Sequence, residues 1–188
     1  MSKYWKESWQ FISEVIKVGL ISLAIILPIR YFLVQPFYVK GESMEPNYLN
    51  SDYLLIDEIS FRFRAPERGE VIVLRYPRDP QEFFIKRIIG LPGDRVVIKQ
   101  GGVWIGPGGA EVKELSESYL PSGTITQGDQ DITLAEGQYF VLGDNRGASL
   151  DSRSFGPITA REIVGRSWLR AWPFGRWQIF TPPVFTSI

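Results

Sequence analysis

The chain has 188 residues, with 21 Lys and Arg against 21 Asp and Glu. Its formal charge is therefore zero, which argues against nucleic acid as a partner, because that affinity comes largely from neutralising phosphates. It contains no histidine and no cysteine, which excludes a Ser-His-Asp triad, a cysteine nucleophile and the usual ligands of structural zinc. If the chain is a hydrolase, the covalent route left to it is a serine or threonine activated by a lysine.

At the amino terminus, Lys3 and Lys6 precede Phe11-Ile12, and Val18 to Ile29 forms a charge-free run of 12 residues between Lys17 and Arg30. A helix that crosses a bilayer needs about 20 mostly apolar residues. With Lys17 and Arg30 snorkelling, the usable segment extends from Phe11 to Val34. Trp5, Trp9 and Tyr31 stand where an interfacial aromatic belt belongs. A cleavable signal peptide shares the basic start and apolar middle, but Pro28, Arg30 and Tyr31 occupy the place of its small-residue cleavage site. A buried core helix is the bland alternative. The expectation is an uncleaved membrane anchor over 1–34, with the lipid bilayer as a partner. Lys3 and Lys6 hold the amino terminus in the cytoplasm, which puts 35–188 on the outer, periplasmic or lumenal face.

From Gln35 onward the pattern changes to short strands. Asp52 to Ile59, Glu70 to Tyr76, Phe83 to Ile89, Arg95 to Lys99, Val103 to Ile105, Gln138 to Leu142 and Ile163 to Ala171 are rich in Val, Ile, Leu and aromatics. Arg68-Gly69, Pro77, Leu91-Pro92-Gly93-Asp94 and Gly106-Pro107-Gly108-Gly109 punctuate them, and Gln100-Gly101-Gly102 reads as a hairpin connection. The expected fold is mostly β, a barrel or sandwich over 35–188. The more polar stretch from about 106 to 136 is expected as a smaller appended hairpin or loop.

Two residues carry the candidate chemistry. Ser43 lies in Gly41-Glu42-Ser43-Met44-Glu45-Pro46, where Gly41 frees the backbone and Pro46 fixes a turn. Most serines beside Gly and Pro merely satisfy turn hydrogen bonds, so Ser43 alone decides nothing. Lys86 lies in Phe83-Phe84-Ile85-Lys86-Arg87-Ile88-Ile89. Strand alternation puts Phe84, Lys86 and Ile88 on one face, as a lysine needs if desolvation is to bring its pKa from about 10.4 to ~7–8. A lysine with its amine in water at a strand edge fits the same letters. The third segment, Gly143 to Arg153, comes after the strand Tyr139 to Leu142. It reads either as a solvated turn or as a loop in which Ser149 orients the Lys86 amine and Asp151 pairs with Arg153.

Together these segments resemble the type I signal peptidase family, membrane-anchored serine–lysine endopeptidases. The resemblance covers nearly the whole chain in order: the anchor, Gly41 to Pro46, Arg68-Gly69-Glu70-Val71-Ile72-Val73, the long lysine segment Phe84 to Asp94, and Gly143 to Arg153. It implies a β catalytic domain with a smaller β extension, and cleavage of secretory precursors after a small-x-small motif such as Ala-x-Ala. By position, Ser43 is the implied nucleophile, Lys86 the base and Ser149 its orienting group. Asp144 is expected to pair with Arg87, and Phe37, Val39, Met44 and Ile85 to line the pockets for small side chains. The Ser43 amide would serve the oxyanion. Gly41 stands where some members supply a hydroxyl to it, so a second amide or a water would be needed here. Gly147-Ala148 lacks the polar side chains usual in that turn, and Asn47 and Tyr48 depart from the usual pair after the proline, which would alter the small-residue pocket. Such hydrolysis needs no metal or organic cofactor.

Secretory precursors are the implied partners, with the protein-export machinery a further candidate. A self-cleaving serine–lysine repressor shares the dyad but calls for a basic helix-turn-helix in place of the apolar segment. A catalytically silent paralogue that binds precursors without cutting them is the other alternative. The tryptophans of Trp168 to Phe180 either dip into lipid or fill the β core.

Overall fold

The computed structural model describes residues 3–32 and 34–185, with side chains over 8–26 and 35–185. Lys3, Trp5, Lys6, Pro28, Arg30, Tyr31 and Val34, read above as flanks of the anchor, lie outside the described side chains. Helix α1 spans Lys3–Phe32. Within it Ser8–Ile26, 19 residues, is long and apolar enough to cross a membrane, and none of it is buried inside the protein. That span starts earlier than the charge-free run, because Glu14 and Lys17 are too few to offset their apolar neighbours.

The rest is β. Strands β1 (Val34–Tyr38), β2 (Tyr53–Asp57), β3 (Val71–Tyr76) and β4 (Asp79–Gly90) come first. Next are β5 (Arg95–Lys99), β6 (Gly102–Gly106), β7 (Lys113–Glu114), β8 (Gln130–Thr133) and β9 (Gln138–Leu142). A single-turn helix α2 (Ser152–Phe155), β10 (Ile158–Thr159), β11 (Ile163–Trp172) and β12 (Gln178–Ile179) complete the chain. The main sheet has the order β1-β2-β11-β3-β4-β9-β10, with β12 also on β11, and the second has the order β7-β6-β5-β8. The main sheet is antiparallel throughout, so one strand can bury both faces without a crossover helix. β3 does so: Val71 and Val73 pack with Met44, Tyr48, Leu54 and Ile56, while Ile72 and Leu74 pack with Ile88, Tyr139 and Val141. This is why its sequence is a continuous apolar run rather than an alternating one.

The hairpin Val96–Ile98/Val103–Ile105 differs from expectation in its placement. Arg95–Lys99 and Gly102–Gly106 are the centre of the second sheet, so that sheet begins ahead of Gly106. The redirection happens at Leu91–Asp94, where the Asp94 carboxylate accepts the Leu91 amide at 2.6 Å and the Arg68 guanidinium at 2.8 Å. Gln100 and Gly101 both have positive φ (53° and 80°), and they join β5 to β6 as a two-residue turn whose twist suits a hairpin. The second sheet is not a free appendage. Val96, Ile98, Val103 and Ile105 share a core with Ile89, Leu134, Phe140 and Leu142.

The close approach of the two sheets runs over Gly90. A Cβ there would lie 2.6 Å from Val96 Cγ2 and 2.7 Å from Leu134 Cδ1. Gly90→Ala is expected to destabilise the protein by about 1–3 kcal/mol through overpacking, read as a lowered midpoint in thermal unfolding of the detergent-solubilised protein.

Candidate active site

β1 leads into the turn that carries Ser43. Gly41 takes φ +89°, a backbone conformation that glycine adopts without strain, and its amide donates to Asn50 Oδ1 at 3.0 Å. One helical turn comes next, closed by the Tyr48 amide on the Met44 carbonyl at 3.0 Å. Met44 and Tyr48 are each 1% exposed and point into the core beside Leu54 and Ile56. Burying them turns the intervening face, with Ser43, outward. The Ser43 carbonyl accepts from the Asn145 amide at 3.0 Å, while the Ser43 amide donates to no group among the described residues.

Lys86 comes from β4, where its register partner on β3 is Ile72. It is 3% exposed. Its Nζ donates to Ser43 Oγ at 2.8 Å and to the Ile85 carbonyl at 2.8 Å, and lies 5.2 Å from the centre of the Phe84 ring. Burial lowers the Lys86 pKa to about 8, against the pull of the Asp151 and Asp144 carboxylates, which favour the charged form.

Gly143 is the crossing point of the three segments. A Cβ on it would collide with Ser149 Oγ and the Ser43 carbonyl, so only glycine lets them approach. Ser149 Oγ is buried there without a hydrogen-bond partner, and the contacts of the Lys86 amine are Ser43 and Ile85 instead. Asp151 is fully buried; Arg153 Nε and Nη2 each donate to it at 2.8 Å and the Gly143 amide at 3.0 Å. Burial alone would raise its pKa, but the Arg153 guanidinium and that amide outweigh it and hold the carboxyl below its usual value. Asp144 takes two bonds from Arg87, Nε at 2.8 Å and Nη2 at 2.6 Å.

A cleft of about 710 Å³ opens beside Ser43 and Lys86. Phe37, Val39 and Ile85 line it, together with Leu54, Val73, Phe83, Ala148 and Leu150. Met44 does not line it; its side chain goes into the core beneath, which corrects its expected place in the pockets. Asn47 and Tyr48 are not on its wall either. Tyr48 stacks on Phe180, ring centres 4.4 Å apart. Asn47 Nδ2 donates to Asp144 Oδ2 at 2.8 Å and to the Tyr119 carbonyl at 2.9 Å, tying the serine turn to the ion pair and to the second sheet's long loop. The Gly147-Ala148 turn, expected to lack side-chain hydrogen bonds, is closed by backbone, Ala148 N to Asn145 O at 3.1 Å.

Sequence reading missed the cover over Arg87. The Tyr119 ring lies 4.0 Å from its guanidinium carbon, and Arg146, itself 3% exposed, holds the same loop by pairing with Glu117 at 2.5 Å and 2.8 Å. No local pattern announces a contact between residues so far apart in sequence. Among the described residues, no group of three or more His, Cys, Asp or Glu could hold a metal ion.

A serine hydroxyl thus lies within hydrogen-bond distance of a buried lysine amine on the wall of the cleft. Residues 12–172 match the family described as signal peptidase, peptidase S26. The probable signal peptidase I-2 of Synechocystis sp. is 36% identical over 174 residues, covering 89% of this chain and 77% of that protein. Signal peptidase I of Leptolyngbya laminosa is 35% identical over 178 residues, covering 90% of this chain and 84% of that one. The crystal structure of a signal peptidase I from Enterococcus faecalis V583 matches at 31% identity and a TM-score of 0.46, over 55% of this chain and 97% of the other. The chain belongs to the signal peptidase S26 family.

Arg87 and Asp144 are both almost fully buried, so Asp144→Ala leaves a guanidinium without its counter-charge and is expected to cost about 3–5 kcal/mol. The exposed pair Arg95–Asp131 is screened by solvent, and its loss in Asp131→Ala should lower the unfolding midpoint far less. Thermal unfolding of both variants in the same detergent checks the contrast.

Proposed function

We propose that the chain is an endopeptidase that removes amino-terminal signal peptides from secretory precursors after a small-x-small motif such as Ala-x-Ala. The single observation that carries this is the 2.8 Å contact between Lys86 Nζ and Ser43 Oγ, with the lysine 3% exposed and its pKa brought down to about 8.

Neutral Lys86 takes the Ser43 proton as Oγ attacks the scissile carbonyl carbon. The oxyanion is received by the free Ser43 amide. The Gly41 amide is already given to Asn50, so a water completes the site. Lysine next protonates the amine that departs as the new amino terminus. It then deprotonates a water, whose oxygen attacks the acyl-serine ester and releases the signal peptide. Ser149 Oγ, buried beside the Asp151 carboxylate, is the group we assign to hold the lysine in place once its proton load changes.

The cleft suits an extended substrate. β1 is the first strand of the main sheet, and Pro36 within it lacks an amide, as an edge tolerates. β9 pairs with β4 only from Arg87 onward, so Asp79 to Lys86 has β3 on one side alone. The cleft lies between these two unpaired edges, spanned by the Phe37 and Phe83 rings with centres 5.5 Å apart. A peptide strand inserted there pairs its backbone on both sides, and its alternate side chains meet the floor. That accounts for a preference at two positions separated by one residue.

We further propose that α1 anchors the enzyme with its amino terminus in the cytoplasm and the β domain on the outer face. Trp172 and Trp177, exposed together with Phe174 at 48%, 57% and 75%, would then be free to enter the headgroup layer.

Cleavage of a precursor with Ala at −1 and −3 is expected to fall by at least about a thousandfold in Ser43→Ala and in Lys86→Ala. Cutting that survives either change removes the mechanism. For the wild type, kcat/KM should rise with pH through about 8, because the base works only after losing its proton. Lys86→Met removes a desolvated amine. It is expected to be inactive yet more heat-stable at neutral pH, an advantage that shrinks above pH 8, where the native lysine is already neutral.

A further inference from the structure

We propose that the turn Ser60–Phe63, on the far side of β2 from the serine turn, is a lipid-contacting element that docks on an anionic bilayer surface beside α1. It rests on the anchor reading of α1. Helix α1 ends at Phe32 and β1 begins at Val34, so about 7 Å of extended chain at most separates helix from sheet. Val34 is the register partner of Asp57, the last residue of β2. The Asp57 carboxylate fixes the turn directly after that strand: Oδ1 accepts the Ile59 amide at 3.2 Å and the Ser60 amide at 3.0 Å, and Oδ2 accepts the Ser60 hydroxyl at 2.6 Å. Arg166 Nε holds the same carboxylate from β11 at 2.8 Å. The turn is thus pinned to the strand end at which the chain arrives from α1.

Its side chains divide accordingly. Phe61 packs inward against the cluster of Ile72, Leu74 and Ile88. Phe63, two residues on, is 83% exposed. Arg62 beside it is exposed, and whereas Arg64 pairs with Glu70, Arg62 forms no ion pair among the described residues. An outward aromatic next to an uncommitted guanidinium is what a headgroup layer accommodates, the ring at the acyl boundary and the charge among phosphates. The tether to α1 selects that occupant over a protein partner.

Because the chain has no cysteine, one introduced thiol takes an environment-sensitive fluorophore uniquely. The full-length protein, labelled at Ala65→Cys so that Phe63 stays in place, is reconstituted in phosphatidylcholine vesicles containing phosphatidylglycerol. Ile125→Cys on the second sheet's loop and Leu20→Cys within α1 provide the aqueous and buried references. The label at 65 is expected to be quenched by nitroxide lipids and shielded from iodide, with the reverse at 125. Adding Phe63→Asp should abolish the lipid quenching, and Arg62→Gln or omission of phosphatidylglycerol should reduce the lipid-bound share about fivefold. If the label at 65 behaves like that at 125 while the label at 20 is quenched by lipid, the proposal is overturned with the anchor intact. A label at 20 that escapes lipid overturns the anchor reading, and the docking turn with it.

Discussion

The chemistry we propose for this protein depends on keeping one amine out of water. A lysine at 3% exposure on a strand pays a desolvation penalty for every proton it carries, and that penalty brings it to about 8. Two carboxylates nearby, Asp144 and Asp151, work in the opposite direction. Each is gripped by an arginine through two hydrogen bonds, Arg87 on Asp144 and Arg153 on Asp151. The buried ion pairs fix those carboxylates in place, and the burial of Lys86 outweighs the pull they still exert on its proton.

The same requirement explains why the site is assembled from so many parts of the chain. β4 supplies the lysine and the arginine, the turn after β1 supplies the serine, and the turn after β9 supplies Asp144 and Ser149. The second sheet lays Tyr119 over Arg87 and lends a carbonyl to Asn47. An extension of this kind reads as decoration in a topology diagram. Its loop is in fact part of the wall that separates the ion pair from solvent.

Much of this is legible in the letters. The absence of His and Cys reduces the covalent options of a hydrolase to Ser or Thr with Lys, and alternation gives Lys86 apolar neighbours on its face, although the same letters fit an amine left in water. Strands β2, β3, β4, β5, β6, β9 and β11 correspond to runs of branched and aromatic residues between Gly and Pro. The hidden elements have a common cause. β1, β7, β8, β10 and β12 are short or polar, and exist because a neighbour offers hydrogen bonds, which no local composition records. Arg95–Gly106 is recognisable as a hairpin, but local pattern does not say which sheet it joins. Met44, expected on the cleft wall, lies in the core, because a one-residue step around a helical turn decides between the two. Asn47 stands out as a departure, yet its partner Asp144 is remote in sequence, so its bridging role is invisible there.

Ser43 is held in place from distant parts of the polypeptide: its carbonyl by Asn145, and the carbonyl of Asn47 by Arg170 of β11. Contacts of such long sequence separation form late, since large loops must close first. The serine turn therefore leans on a strand that follows it by 123 residues, and a copy in which β11 has yet to dock lacks that brace.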